Sequence, residues 1–469
     1  MLCGCPILFL RILPERVGRD APHFLPDLER SLEVKIHRVA PFVLALCLVS
    51  HAQSGPVRAS LAAMPQPPIT VEDAVAAALE ANPQIHAAVR RLTLAQSRAG
   101  TARSLDDPML MVRDWDTPLR QPWDLNQAQM MVSIQQTFVN RQKRDLRLKV
   151  SGDEAEIASS DLESLRQQVA AEVRKACADL KRNAEEMQLH DRQASLLKEA
   201  LAAALAQYTT GRVPQVDVLR AQMAVTRLDE HLIELEQERD ATQAQLSALM
   251  GRPSGESVQI AGDYAATVDL PLLEDLEQLA LEHRPELAGL RKGIAKSQDE
   301  AAATRLAKKP DFTVALGYML MPSGSAARNA YMAELSMNLP GLNKERHDGE
   351  AKQADAATAV AQADLEARTV AVFLEVRQAQ IAIQAAEKRT KVYRDTLLPQ
   401  AEAAFKAATA AYQNNRAEFS TLIDSQNLLL DIQTALYTAA AARDAAQADL
   451  ERAIGTPVPN RSISKEKSK

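Results

Sequence analysis

The sequence predicts a mainly α-helical protein with a small β part, in which long antiparallel helical hairpins and β-hairpins each occur twice. Two observations predict this class: the same order of landmark residues occurs twice along the chain, and each copy contains very long stretches with few helix breakers. Hydrophobic residues make up 46% of the chain but aromatic residues only 4%, so Ala, Leu, Val and Met must form the core. Ala, Leu and Met are strong helix formers.

The first 52 residues are predicted to be a leader that contains a signal peptide. A short apolar run at 39–49 follows two basic residues, and the small residues Ser50 and Ala52 stand where a signal peptidase reads the chain. We therefore expect an exported protein. After cleavage Cys177 would be the only cysteine, and we expect it to be a buried residue of a helix.

A tandem duplication accounts for the rest of the chain. Pro83 corresponds to Pro285, 202 residues later, and Gly251 corresponds to Gly455, 204 residues later. Between these landmarks the order of matching residues is kept and the spacing drifts by only two residues, which is typical of repeated units. The predicted segments are a first repeat, a linker, a second repeat and a disordered tail, at 69–254, 255–270, 271–458 and 459–469.

Each repeat starts with helical sequence and continues with two strands. The first helix is predicted from Val71, Asn82 is a suitable N-cap, and Pro83 suits the first turn of a helix that ends before Pro108. Apolar residues then alternate with polar ones, which predicts strands. The predicted strands are at about 109–115, 128–138, 312–318 and 331–338, with Pro322-Ser323-Gly324-Ser325 as the turn of the second pair.

A long helical hairpin completes each repeat. Apolar residues recur every three or four positions over about 142–207, which predicts one helix. At 1.5 Å per residue this helix would be about 100 Å long. Gly211 and Pro214 end it, and a second helix is predicted over 216–250. The second repeat lacks both breakers, so Asn414-Asn415 must form its turn.

Charge and motifs exclude several function classes. The formal net charge is −6, and the chain lacks the basic stripe that a nucleic-acid-binding protein needs. It has no phosphate-binding loop, no nucleophile elbow and no zinc-type His pair, so we expect neither an enzyme nor a bound cofactor or metal. The eight histidines are scattered along the chain and are expected at the surface.

The length of the strands points to a membrane. No apolar run reaches the roughly 18 residues of a membrane-spanning helix, whereas strands of about ten residues match a tilted membrane strand. Four strands are too few to close a barrel, and an open sheet would leave unpaired edges. Several copies of the chain would close it. Together with the export signal, this indicates the bacterial outer membrane.

From Thr70 to Pro457 the chain resembles the outer-membrane factor, or TolC-type, family of efflux ducts. The resemblance rests on the duplication, the paired prolines, the strand pairs, the turn from Tyr208 to Gly211 and the segment Val216-Asp217-Val218-Leu219. It implies a homotrimer whose twelve strands form a barrel in outer-membrane lipid and whose helices form an α-barrel tunnel in the periplasm. It also implies a passive exit duct for small molecules or metal ions, which an inner-membrane pump of the RND type delivers through a periplasmic adaptor protein.

In that family, Tyr, Arg and Asp side chains at the ends of the helical hairpins hold the periplasmic entrance shut. The matching positions form the candidate gate: Tyr208, Arg212, Asp217 and Arg220 in the first repeat, and Tyr412, Arg416 and Asp424 in the second. Arg220 and Asp424 are at equivalent positions, 204 residues apart, so they could pair across neighbouring hairpins. The alternative is that these are ordinary solvated residues, each worth under about 1 kcal/mol.

Methionines are frequent in and beside the predicted strands. The segments Asp107-Pro108-Met109-Leu110-Met111 and Met130-Met131 resemble the heavy-metal resistance branch of the family, and thioethers suit soft ions such as Cu(I). Alternation along a strand puts neighbouring methionines on opposite faces, however, which favours a packing or lipid-facing role. The cargo therefore stays open between metal ions, drugs and proteins.

Two alternatives explain the long helices differently. A periplasmic adaptor also carries a helical hairpin, but it should have a single one within a β-rich chain. A scaffolding coiled coil of a secretion or efflux assembly would explain the helices, but neither the strand pairs nor the export signal. Fractionation separates both from a duct, because either alternative would be found in the soluble periplasm.

Overall fold

The computed structural model describes residues 68–115, 129–253, 258–262, 264, 269–321, 329–414 and 416–459. In the first repeat the elements are α1 (Val71–Ala81), α2 (Pro83–Thr101), β1 (Met109–Trp115), β2 (Gln129–Phe138), α3 (Arg141–Thr209) and α4 (Gln215–Leu249). In the second repeat they are α5 (Leu273–His283), α6 (Pro285–Leu306), β3 (Phe312–Leu320), β4 (Asn329–Met337), a 3₁₀ turn (Pro340–Leu342), α7 (Lys344–Val392), a π turn (Tyr393–Leu397), α8 (Leu398–Gln413) and α9 (Phe419–Ile454). The predicted class, mainly α with duplicated helical hairpins and two β-hairpins, is confirmed.

Some predicted segments lie outside the described residues. They are the leader at 1–52, the turn at 322–325, Asn415, the tail from 460 onward and much of the linker. A described part of the linker pairs with the start of the first repeat. Ile260 forms a parallel bridge with Ile69, whose N–H donates to the Gln259 carbonyl at 2.9 Å.

Equivalent contacts anchor the starts of α2 and α6. The Asn82 side-chain oxygen caps α2 by accepting from two backbone N–H groups at 2.8 and 3.2 Å, and Pro83 occupies the first turn. The Asn82 amide also donates to the carbonyl of Leu249, at the end of α4, at 2.8 Å. In the second repeat Arg284 takes this place and donates to the carbonyl of Ala453, the equivalent of Leu249, at 3.3 Å.

Glycine is required where α4 and α9 end. Gly251 and Gly455 have φ of +64° and +77°, the left-handed region that glycine favours. A Cβ at Gly251 would lie 2.3 Å from the carbonyl oxygen of Ala81, and a Cβ at Gly455 would lie 2.6 Å from that of His283. The absence of a side chain therefore lets each long hairpin close onto the short helix that opens its repeat.

Two hydrophobic clusters at equivalent places hold the helices of each repeat together. Val173 in α3 and Val376 in α7 are fully buried and stand 203 residues apart, and Leu246 and Leu450 are likewise fully buried, 204 residues apart. Cys177 lies in the first cluster as a buried free thiol, as predicted. Burial raises the pKa of this thiol to about 12, so the reactive thiolate is suppressed.

The strands form one antiparallel sheet in the order β1-β2-β3-β4. Because β2 pairs with β3, the sheet joins the two repeats: Thr137 lies opposite Thr313, and their hydroxyl oxygens are 3.1 Å apart. Gly317 lies opposite Ser133, where a Cβ would come within 3.0 Å of the serine Cβ. The alternation of residues predicted the two hairpins, and the structure adds this pairing between them.

One face of the sheet is apolar and exposed. Leu110, Ile134 and Leu316 lie side by side in one row across three strands, with exposed fractions of 69, 58 and 63%. Tyr331 and Leu335 on β4 belong to the same face and are also strongly exposed. A contiguous apolar surface of this kind marks contact with lipid or with another protein.

The strand methionines are divided between the two faces less evenly than expected. Met130 and Met131 do face opposite sides, as the alternation requires. Strand register, however, puts five of the seven methionines of the described strands on the face opposite the apolar row: Met109, Met111, Met131, Met319 and Met332. Among these, Met131 lies directly opposite Met319 and is fully buried.

The helices of the hairpins are long and nearly uninterrupted. α3 has 69 residues, which corresponds to about 100 Å. In the second repeat Pro399 lies in the first turn of α8, and the helix widens into the π turn immediately before it. Since proline lacks an N–H and crowds the preceding turn, the wider turn lets the helix continue. Among the described helices, none combines the length and the apolar run that crossing a membrane requires.

Candidate functional site at the hairpin ends

The first hairpin ends in a tight turn between α3 and α4. Gly211 has φ of +70°, and the N–H of Arg212 donates to the Gln207 carbonyl at 2.9 Å, which closes the end of α3. Pro214 precedes α4, and the Asp217 N–H donates to its carbonyl at 3.1 Å. Asp217 is therefore in the first turn of α4, where the helix dipole favours a negative charge.

The second hairpin closes with the same bonds, although it lacks both breakers. The Arg416 N–H donates to the Ala411 carbonyl at 2.8 Å, and the Thr421 N–H donates to the Glu418 carbonyl at 3.1 Å. Both bonds are 204 residues from their equivalents in the first hairpin. The Asn414 side chain donates to a carbonyl one turn earlier at 2.8 Å, so this residue takes part in the turn as predicted.

Tyr412 at the end of the second hairpin lies within the electrostatic influence of Asp217 at the end of the first hairpin. Its ring packs against Phe419, with centroids 5.6 Å apart, and its hydroxyl is buried without a hydrogen-bond partner in the described chain. Burial, followed by the nearby negative charge of Asp217, raises the pKa of the Tyr412 hydroxyl. Two candidate gate residues from different repeats are therefore close enough to interact. Sequence reasoning did not single out Phe419, which is fully buried and positions the tyrosine.

Arg220 and Asp424 line the same cavity, which we call the hairpin cavity. It has a volume of about 960 Å³ and is lined by residues of α3, α4 and α9 together with Arg389 and Tyr393 near the end of α7. Within this chain the ion pair of Arg220 is with Asp217, at 3.7 Å, one turn earlier on α4. The structure thus brings the predicted pair to one cavity and shows a different partner for the arginine.

The remaining candidate gate residues lie at the surface of the hairpin ends. Tyr208, at the place equivalent to Tyr412, is 43% exposed, and Arg212 and Arg416 are exposed. In the described part of the chain these three side chains are exposed to solvent. The two tyrosines therefore differ, although they occupy equivalent positions.

A second pair of opposite charges lines the hairpin cavity and was missed by the sequence reasoning. Arg227 is on α4 and Asp431 is on α9, seven residues beyond Arg220 and Asp424 respectively. They are also 204 residues apart, so a search for opposite charges at equivalent positions of the two repeats would have identified them. Neither has an ion-pair partner among the described residues.

The prediction that the histidines lie at the surface is wrong for His190. This residue of α3 is buried, and its ring lies 4.6 Å from that of His231 on α4. The two are 41 residues apart in sequence, so no local ligand spacing could show the contact. In the described part of the chain, no group of three or more His, Cys, Asp or Glu side chains is arranged to hold a metal ion.

Comparison with known proteins agrees with this architecture. Residues 74–252 and 276–456 match the family described as outer membrane efflux protein. The cobalt-zinc-cadmium resistance protein CzcC of Cupriavidus metallidurans is 24% identical over 362 residues, which cover 77% of this chain and 84% of that protein.

Solved structures show the same fold at low sequence identity. A membrane protein from Pseudomonas aeruginosa superposes with a TM-score of 0.72 at 15% identity, covering 83% of this chain and 90% of its own. CusC superposes with a TM-score of 0.71 at 15% identity, covering 82% and 92%. The adaptor and scaffold alternatives gain no support from these matches, which extend over both repeats. The chain belongs to the outer membrane efflux protein family.

Proposed function

We propose that three copies of this outer-membrane efflux duct form one passive channel, with the long helices in the periplasm. The observation that carries the proposal is the sheet. Among the described strands β1 and β4 each have a neighbour on one side only, while one face is apolar and exposed. Lipid cannot satisfy unpaired backbone groups. If β4 of each copy pairs with β1 of the next, three sheets close into twelve strands without an edge.

Oligomeric state and conductance test this proposal together. We expect the detergent-solubilised mature protein to have about three times the chain mass by light scattering, allowing for bound detergent, and to form ion-conducting channels in planar bilayers. A monomer that inserts no channels would contradict the proposal. As a duct, the assembled protein would carry out no reaction of its own.

The proposed partners are a periplasmic adaptor and an inner-membrane pump of the RND type, and the proposed cargo is divalent metal ions. The support for the cargo is the similarity to CzcC, whose name assigns it to cobalt, zinc and cadmium resistance. A deletion strain should become sensitive to these ions and recover when the gene is restored. Sensitivity to antibiotics without sensitivity to metals would contradict the proposed cargo.

We also propose that the hairpin ends form the closed entrance of the duct. The support is the buried Tyr412 hydroxyl beside Asp217 and the position of Arg220 and Asp424 at one cavity. In this proposal Arg220→Ala and Asp424→Ala each weaken the resting contacts and raise single-channel conductance. The control is Arg166→Ala, which removes an exposed helix-surface pair with a glutamate far from the turn. Unchanged conductance in both cavity variants would reject the gate.

A further inference from the structure

His190 and His231 form a pair between the two helices of the first hairpin. Their ring centroids are 4.6 Å apart and their planes meet at 66°. Nδ1 of His231 lies 3.1 Å from a carboxylate oxygen of Glu234, one turn later on α4. This contact orients the His231 ring and leaves its Nε2 available. The pair lies about 20 residues, or about 30 Å of helix, from the hairpin turn.

Two polar side chains of α3 at this site, those of His190 and Gln193, lack among the described residues the partners that buried groups normally have. The His190 side chain is 3% exposed, and within the part of the chain that the structure describes neither of its ring nitrogens has a hydrogen-bond partner. Gln193, almost one turn later, is 6% exposed, and its side-chain oxygen is also without a partner among those residues. Both residues line the hairpin cavity, as does His231. Leaving such groups unsatisfied costs about 1–3 kcal/mol each, so a ligand that accepts their electron pairs would relieve this cost.

We propose that His190 and His231 bind a first-row divalent transition-metal ion, such as Co²⁺, Ni²⁺, Cu²⁺ or Zn²⁺, with the Gln193 side-chain oxygen and water completing its coordination. Neutral imidazole is a preferred ligand of these ions. The Glu234 carboxylate on the far nitrogen of His231 is the usual support of a metal-binding histidine.

The separation of the rings agrees with a shared ion. A metal about 2.1 Å from an imidazole nitrogen lies about 3.2 Å from the centroid of that ring. Rings 4.6 Å apart would then subtend about 90° at the ion, the angle between adjacent ligands in octahedral or tetragonal coordination. The ion would link α3 to α4 at the wall of the hairpin cavity, which Arg220 and Asp424 also line. This inference goes beyond the proposed function, because it requires neither a trimer nor metal ions as cargo.

Metal binding by the purified full-length chain tests the site directly. Protein stripped with EDTA and freed of the chelator is dialysed against Co²⁺, Ni²⁺, Cu²⁺ or Zn²⁺, and the bound metal is measured by mass spectrometry. We expect at least one of these ions to bind at one per chain, and cobalt, if bound, to give a visible absorption band typical of nitrogen ligation. His190→Gln and His231→Gln should each weaken binding at least tenfold, and Glu234→Gln should weaken it by about tenfold.

The control variant is His86→Gln, which removes an exposed histidine of α2 away from the cavity and should leave binding unchanged. If His190→Gln fails to fold by circular dichroism, the more exposed His231→Gln still decides the question. Absence of a bound ion in the wild type would overturn the proposal. So would equal affinity in the wild type and in either folded histidine variant, since the ion would then be bound elsewhere.

Discussion

Arg227 on α4 and Asp431 on α9 line the same cavity from equivalent positions of the two repeats. Arg220 and Asp424 have the same relationship seven residues earlier on each helix. α4 and α9 are equivalent helices of the two repeats, yet they carry opposite charges at these two pairs of positions. The α4 wall of the hairpin cavity contributes two arginines, and the α9 wall contributes two aspartates. In the gate that we propose, these opposite charges would attract each other as the walls approach and would favour closure of the hairpin ends.

Reversal of one charge should weaken this attraction. In Arg227→Asp a third carboxylate joins Asp424 and Asp431 at the hairpin cavity, so we expect the resting conductance in planar bilayers to rise. An exposed charge pair contributes about 1 kcal/mol or less, which changes a two-state equilibrium by about fivefold at most. The double variant Arg227→Asp with Asp431→Arg should return conductance toward the wild-type value. Arg192→Asp, an exposed reversal on α3 outside the cavity lining, serves as the control.

The buried hydroxyl of Tyr412 should matter for the entrance more than for stability. Because this hydroxyl has no partner in the described chain, Tyr412→Phe should not lower the unfolding temperature. It removes the group that lies near Asp217, so we expect the resting conductance to rise. Tyr208→Phe, at the equivalent but exposed position, should have a smaller effect on conductance. A fall in thermal stability without any change in conductance would assign Tyr412 to packing alone.

The glycines that end α4 and α9 should not tolerate alanine. Gly251→Ala places a methyl group against the Ala81 carbonyl and strains a backbone with positive φ, so we expect a loss of about 2–4 kcal/mol. The measurement is thermal unfolding followed by circular dichroism at one scan rate. Gly293→Ala is the matched control, since this helical glycine has no atom near its missing Cβ, and it should stabilise by about 0.5–1 kcal/mol. Equal effects of both substitutions would contradict the close approach.

A charged residue on the apolar face of the sheet should impair assembly in the outer membrane, whereas a charged residue on the opposite face should not. Leu335→Arg puts a guanidinium on the exposed apolar face of β4, at a cost of about 2–4 kcal/mol if this strand faces the middle of the bilayer. We expect much less protein in the outer-membrane fraction. Ser336→Arg alters the next residue, which faces the other side of the sheet, and should assemble nearly normally. If both variants assemble equally well, the lipid-facing assignment of this face is wrong.

The lowered pKa of His190 predicts how stability depends on pH. The unfolded chain binds a proton at this histidine below about pH 6.5, whereas in the folded chain the pKa is about 4. Between these values the unfolded state binds more protons, so stability is lost as the pH falls from about 6.5 to 4. In His190→Leu this decrease in the free energy of unfolding, on the order of 2 kcal/mol over that pH range, should be absent. The series is measured with EDTA present, and His86→Leu should retain the wild-type dependence.

Local signals in the sequence predicted most elements of the fold. Pro83 after Asn82 marked the start of α2, Gly211 marked the end of the first long helix, and alternation located all four strands within a few residues. These signals act through one or two neighbouring residues, by fixing φ, by capping N–H groups or by separating the two faces of a strand. The spacing of the duplication then showed that the second repeat would follow the first.

Contacts between distant segments were decided by the tertiary structure alone. The pairing of β2 with β3, the buried Tyr412 near Asp217, and the approach of His190 to His231 all depend on how elements far apart in sequence are aligned. A shift of one residue in the register of α3 against α4 would turn a side chain by about 100° around the helix and separate the histidines. The sequence by itself therefore determined which helices and strands form and that they form twice. Which side chains meet between them depends on packing summed over whole helices, which no local pattern encodes.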